Sequence, residues 1–308
     1  MKKIIIMMIL GIAGWGCLPA QRAKQPVPVS EPQDSVAPAE DVCYTKADSL
    51  FICRALSDAM TANVQAEDMM LFFARHFMDR PYVAHTLEVN DDERLIINTR
   101  ELDCTTFVEN VVALTLCAQN GYNDFAGFAQ MLRALRYRGG KLDGYASRLH
   151  YFSDWILDNE QMGFVCEIHA PNPPFTAVQK LNVSYMSRHP QSYKALKAHP
   201  ELVPLISKQE QLLTGKTFPY IPKQKIDNGA VMRQTVHDGD ILALTTTMEG
   251  LEISHLGLAV WKKDGLHLLN ASMIQKRVVE DSQLLRDYLQ KRKTATGIRI
   301  IRVGKGDK

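Results

Sequence analysis

Near Asp240 the chain changes its apolar period, and that change decides the fold class. Upstream, apolar residues recur at helical spacing. Lys46 to Met60 carries Leu50, Cys53 and Leu56, and Ala66 to Phe77 carries Met69, Phe72, Phe73 and Phe77. Pro81 closes the second of these helices. Downstream, Asp240 to Leu244, His255 to Trp261, Leu266 to Ala271 and Gly297 to Val303 are short and β-rich. The turn Asp238-Gly239-Asp240 introduces the first, and Lys262 to Gly265 separates the middle pair. Helices followed by strands predict an α+β chain, a helical N-terminal half packed on a C-terminal antiparallel sheet. No internal repeat is evident. The composition, 46% hydrophobic and 23% charged over 308 residues, is ordinary for a globular domain. Residues 41–308 are expected to form one domain, with a long insertion at about 121–237.

The N-terminus has a different character. Met1-Lys2-Lys3 and the short apolar run Ile4 to Ile12 form the n- and h-regions of an export signal, too short to span a membrane comfortably. The run ends in Gly14-Trp15-Gly16-Cys17, similar to a lipoprotein cleavage site, so residues 1–17 are expected to be a signal and Cys17 a lipidation site. Leu18 to Glu40, rich in Pro, Gln, Ala and Ser, reads as a flexible tether. An exported protein follows, either periplasmic or anchored as a lipoprotein; any membrane contact is through that lipid. A net charge of +2 and a pI near 8.1 give no electrostatic case for nucleic acid. A monomer is expected.

Besides Cys17, the cysteines are Cys43, Cys53, Cys104, Cys117 and Cys166. Cys43 and Cys53 could pair in an oxidising compartment, or Cys53 could be core, as Cys117 is expected to be. None shows zinc-site spacing, and neither a metal nor a cofactor is predicted. Cys104 stands apart. In Leu102-Asp103-Cys104-Thr105-Thr106-Phe107-Val108-Glu109 it precedes an apolar run that continues through Val111, Val112, Leu114 and Ala118 and stops at Asn120-Gly121. It should therefore open a helix, where the dipole and free N–H groups favour a thiolate and can hold an oxyanion. Asp103 is equally suited to cap that helix and to touch substrate.

A cysteine nucleophile needs a base. Among nine histidines, His255 is at the mouth of a strand in Ser254-His255-Leu256-Gly257-Leu258-Ala259, on one face with Gly257 and Ala259. Asn270, on the next strand, can orient the imidazole if the Lys262 to Gly265 loop is wide. Trp261 then pairs with Leu266, and His255 is diagonal to Asn270 at roughly 7–8 Å between β-carbons. A tight Asp264-Gly265 turn would separate them by about 13 Å. A further amphipathic helix, Asp124 to Arg136, is broken by Gly139-Gly140. The segment after it, Arg148-Leu149-His150-Tyr151-Phe152-Ser153-Asp154-Trp155, offers Arg148, His150 and Tyr151 as a cleft wall, with Phe152 and Trp155 as core. Ile168 to Pro222 is irregular and proline-punctuated, as functional insertions often are.

Asp103-Cys104, His255-Leu256-Gly257, Asn270-Ala271-Ser272, Asp238-Gly239-Asp240 and Pro81-Tyr82 resemble the motifs of the NlpC-type, papain-like cell-wall hydrolases. Thr105 and Thr106 replace the serine and glycine common after Asp-Cys, and Arg80 and His85 replace glycines around Pro-Tyr. With Tyr82 to Glu88, His150-Tyr151-Phe152, Trp155 and Tyr220-Ile221-Pro222, these departures are similar to the N-acetylmuramoyl-L-alanine amidase branch. The resemblance spreads over about residues 65–303. It implies a papain-like fold and a Cys104–His255–Asn270 triad. It also implies muropeptide substrates cut between muramic acid and L-alanine, with Tyr82, Asp103, Thr105, Arg148, His150 and Tyr151 near the substrate. An endopeptidase cutting between D-glutamate and the diamino acid, a non-catalytic wall-binding lipoprotein, and a secreted domain with a structural Cys104 are the alternatives.

Overall fold

The computed structural model describes residues 41–304. The expected signal, Cys17 and the tether lie outside the described residues. In order, the chain forms β1 (Val42–Cys43), α1 (Lys46–Thr61), α2 (Met69–His76), β2 (Leu95–Ile96), α3 (Cys104–Gln119), α4 (Phe125–Arg136) and α5 (Phe152–Met162). The insertion continues with β3 (Val165–Ile168), β4 (Ala177–Lys180), α6 (Tyr185–Arg188), α7 (Lys194–Ala198), α8 (Val203–Leu213), β5 (Thr217–Pro222) and α9 (Ala230–Thr235). The C-terminal part supplies β6 (Ile241–Thr246), β7 (Ile253–Trp261), β8 (Leu266–Ser272), β9 (Arg277–Glu280), α10 (Leu285–Gln290) and β10 (Ala295–Val303). This is a mixed α+β fold of helices against an antiparallel sheet.

The sheet runs β4-β5-β10-β6-β7-β8-β9, with β3 pairing the far end of β10, and each of these pairs is antiparallel. The insertion is therefore no appended module, since its three strands extend the central sheet past β10. Strand β9 was not foreseen, and α2 starts later than its apolar pattern, because the Asp68 N–H bonds the Gln65 carbonyl in a turn. Strand β6 is buried at every position. Ile241 and Ala243 join the core beneath α1–α5, whereas Leu242 and Leu244 join a second core with Leu285 and Leu289 of α10. A sheet covered on both faces reads as a continuous apolar run.

Helix α3 was expected to be amphipathic but is buried on nearly all sides, with Thr106 through Cys117 all inaccessible. Other helices and the sheet surround it, so its polar residues need internal partners. Glu109 meets Arg136 at 2.8 Å, and Arg136 donates to the Ile96 carbonyl at 2.6 Å. Cys43 and Cys53 form no disulfide; Cys43 lies in β1 and Cys53 packs against the main core. Cys117 is core, as its spacing predicted.

Candidate active site

Local chemistry fixes the start of α3. Asp103 is the N-cap: its Oδ1 accepts from the Thr106 N–H at 2.8 Å, and its own N–H donates to Thr106 Oγ1 at 2.9 Å. This reciprocal cap turns the helix on at Cys104. The preceding segment is held to α1 by buried Asp48, which accepts from the Thr99 N–H and hydroxyl at 2.9 Å each and from Arg100 Nε at 3.3 Å. Burial pushes the Asp48 carboxyl up, but its bonds from Thr45 and Thr99 outweigh that and hold it below the usual range.

Strand β7 brings the histidine. Leu244 pairs with His255 and Thr245 with Ile253, so Ser254 is the extra residue of a bulge. A bulge bends a strand and re-aims its side chains. Between β7 and β8 the loop is the wide one: Trp261 pairs with Leu266 and Leu258 with Leu269. Asn270 Oδ1 then lies 2.9 Å from His255 Nε2. The Asn270 amide nitrogen donates to the Leu268 carbonyl at 3.4 Å, which leaves the oxygen facing the ring. His255 Nε2–H is therefore the donor, and Nδ1 keeps its lone pair. Gly257 permits this approach, since a Cβ there would meet Leu268 Cδ1 at 2.7 Å and the Leu269 carbonyl at 2.8 Å.

Cys104 and His255 line one cavity of about 240 Å3. Hydrogen bonds from the backbone of Leu256, the residue after His255, and from the Thr105 hydroxyl reach the Cys104 sulfur. The thiol is nevertheless pushed up to about 12, first by burial and then by the Asp103 charge. This corrects the expectation of a thiolate at the helix start. A helix dipole contributes about 0.3–1 kcal/mol, less than one pKa unit at about 1.36 kcal/mol per unit, and burial exceeds it. His255 is lowered, chiefly by burial, although its bond to Asn270 opposes the shift. Both directions favour the uncharged forms, thiol and imidazole, in the resting cavity. Tyr82 is pushed up to about 12, first by burial and then by its electrostatic proximity to Cys104 and Asp103, but it does not line the cavity.

The cavity walls revise several sequence expectations. Thr105, His150 and Tyr151 line it. Arg148 does not. It is buried at 3.5 Å from Glu88 and 3.4 Å from Glu93, and its guanidinium covers the Tyr145 ring, so a buried ion cluster has claimed it as a structural residue. The Tyr151 hydroxyl is also committed: it donates to Glu210 at 2.6 Å and accepts from the Met186 N–H at 2.9 Å, clamping α6. Only the Tyr151 ring is left for a ligand. Asp103 spends its carboxylate on the cap. Phe152 and Trp155 stack at 4.9 Å as a core seam but also face the cavity.

Glu252, Met186 and Tyr193 line the cavity unforeseen. Glu252 is buried, accepts from the Ser153 N–H at 3.1 Å, and is raised chiefly by burial. Met186 arrives because Ser184 and Tyr185 both donate to the Gly250 carbonyl at 3.1 Å. Any Cβ at Gly250 would stand 2.9 Å from the Tyr185 nitrogen. No sequence signal marks this docking. Among the described residues, no cluster of His, Cys, Asp or Glu is arranged to hold a metal ion.

Residues 72–298 match the family described as AmiA-like, N-acetylmuramoyl-L-alanine amidase-like. The chain belongs to this family. Among solved structures, an N-acetylmuramoyl-L-alanine amidase from Bacteroides uniformis ATCC 8492 is 41% identical with a TM-score of 0.73, covering 79% of this chain and 100% of its own. A Bacteroides fragilis protein provisionally named a xylanase is 47% identical with a TM-score of 0.69, covering 74% of this chain and 98% of its own. A Legionella pneumophila protein at 22% identity and a TM-score of 0.64 shares the fold. No curated protein matches the sequence. The matched stretch spans the positions of Cys104, His255 and Asn270 and the whole insertion.

Proposed function

We propose that this amidase-like protein is a cysteine-dependent hydrolase that cleaves the amide between N-acetylmuramic acid and L-alanine in peptidoglycan fragments, on an NlpC-type papain-like fold. The observation that carries the reading is the His255–Asn270 bond at 2.9 Å beside Cys104 in one aromatic-walled cavity. His255 Nδ1 takes the proton from Cys104 Sγ as the sulfur attacks the lactyl carbonyl. The oxyanion is held by the Cys104 N–H at the helix start. The C–N bond breaks as the imidazolium protonates the departing L-alanyl amine. Water, deprotonated by His255, then cleaves the thioester and restores the thiol. Asn270 keeps the ring in the tautomer that leaves Nδ1 basic. The rings of Tyr151, Phe152, Trp155 and Tyr193 suit a sugar face.

A glycosidase reading, raised by the name of the Bacteroides fragilis relative, lacks support in this cavity. Glycoside hydrolysis ordinarily uses two facing carboxylates, and among the described residues Glu252 is the one carboxylate that lines it. We also propose export through residues 1–17, with Cys17 as a lipid anchor. The test of function is product mass. A defined muramyl tripeptide should give an intact sugar acid and a peptide with free N-terminal L-alanine. A cut between D-glutamate and the diamino acid would replace the amidase with an endopeptidase, and no cleavage by a folded protein would sink both.

A further inference from the structure

His255 divides two cavities. One holds Cys104 and the aromatic wall. The other, about 220 Å3, is lined by Ser254 and His255 but not Cys104, together with Met273, Ile274, Tyr288 and Arg292. Chemistry assigns the halves of the substrate, given the amidase reading on which this inference rests. The acyl part becomes bonded to Cys104 and so occupies the cavity containing the sulfur. The amine that leaves must receive its proton from the Nδ1 edge of His255, and the peptide beyond it extends past the imidazole toward the second cavity, which shares His255 but not Cys104.

Arg292 is the cation of that second cavity. Its guanidinium lies 3.2 Å from the centre of the Tyr288 ring and donates to the Tyr288 carbonyl at 2.7 Å. It forms no ion pair among the described residues, and it is half-buried. Its charge reaches His255, adding to the larger effect of burial in holding that imidazole low. A guanidinium fixed on an aromatic face, open to a cavity and without a carboxylate partner, is arranged for an anion from outside. Met273 and Ile274, exposed at 58% and 70%, offer an apolar rim to the alanine methyl and the peptide backbone.

On the leaving side of the scissile amide, the first anion of a stem peptide is the α-carboxylate of its second residue, a D-glutamate joined onward through its γ-carboxyl. We propose that the Arg292 cavity is the stem-peptide subsite and that Arg292 pairs with this α-carboxylate. The enzyme thereby distinguishes stems whose second residue is free from stems in which it is amidated.

The experiment compares two muramyl tripeptides that differ only in whether that α-carboxyl is free or amidated. In the wild-type protein, kcat/KM should favour the free acid by about tenfold or more, the size of one charge-assisted bond. Arg292→Gln should abolish the preference, mainly through KM, and Arg292→Lys should restore part of it. The ratio is insensitive to how much of each variant folds. Equal turnover of both substrates by the wild-type protein, or a preference that survives in Arg292→Gln, overturns the proposal. If the wild-type protein cleaves neither, the amidase reading has failed, and calorimetric binding of the two free tripeptides decides the subsite. An Arg292-dependent preference for the acid supports it, and equal binding ends it.

Discussion

Replacing Asn270 with alanine removes the group that strand register brings to His255. Asn270 is fully buried, and its side chain contributes one bond to His255 at 2.9 Å. When the imidazole takes the thiol proton, that bond becomes charge-assisted, a class worth roughly 1.5–3 kcal/mol. At about 1.4 kcal/mol per factor of ten, kcat/KM should fall roughly 10- to 150-fold. The pH profile supplies a second reading. His255 is held low by burial while the Asn270 bond pulls it upward. Removing the bond should move the acid limb of kcat/KM to lower pH. Asn270→Asp, which places a carboxylate against the ring, should move it to higher pH. The assay is chromatographic release of L-alanyl peptide across pH, with chemical denaturation confirming that each variant is folded. A folded Asn270→Ala protein with unchanged kcat/KM and an unmoved acid limb would refute the triad.

Three further outcomes follow from named contacts. Since His255 is lowered and Cys104 raised to about 12, the wild-type kcat/KM should lose its base only as pH falls below the ordinary histidine range. It should stay level on the alkaline side through pH 9, and a fall above pH 7 that tracks thiol ionisation would contradict the neutral pair. Gly257→Ala forces a Cβ against Leu268 and the Leu269 carbonyl. It should cost about 1–3 kcal/mol in denaturant and reduce kcat/KM by pushing β8 and Asn270 away; wild-type stability and activity would show that the strands can yield. Glu109→Leu or Arg136→Met breaks a pair in which both residues are almost wholly buried and should cost about 3–5 kcal/mol. The double replacement Glu109→Leu with Arg136→Met should cost less than either single change in a double-mutant cycle, and strict additivity would contradict the pairing.

The parts of the site that the sequence made legible are those set by local rules. Asp103, Cys104 and Thr106 form a helix start because capping is local. His255 and Asn270 could be brought together by counting residues across one hairpin, and the structure has the wide-loop register. The α+β layout followed from the change of period near Asp240. What could not be read depended on partners remote in the chain. Arg148 has the character of a cleft residue until Glu88 and Glu93 are seen to hold it. The Tyr151 hydroxyl is free until Glu210 arrives. Met186 enters the cavity through a docking at Gly250 that leaves no pattern. Strands β3 to β5 are too short and too interrupted to announce that they continue a sheet begun elsewhere. The raised thiol is hidden for a similar reason, since a helix start is visible in the sequence and the side chains that desolvate the sulfur are not.

In the proposed reaction Cys104 carries the acyl group between the two half-reactions. Intact-protein mass spectrometry of the enzyme quenched in acid during turnover of a muramyl tripeptide tests it most directly. An adduct with the mass of the muramyl acyl group should appear, mapped to the peptide containing Cys104 and absent from Cys104→Ala, which should also release no product. Undiminished product release by Cys104→Ala, with no adduct on the wild-type protein, would contradict it.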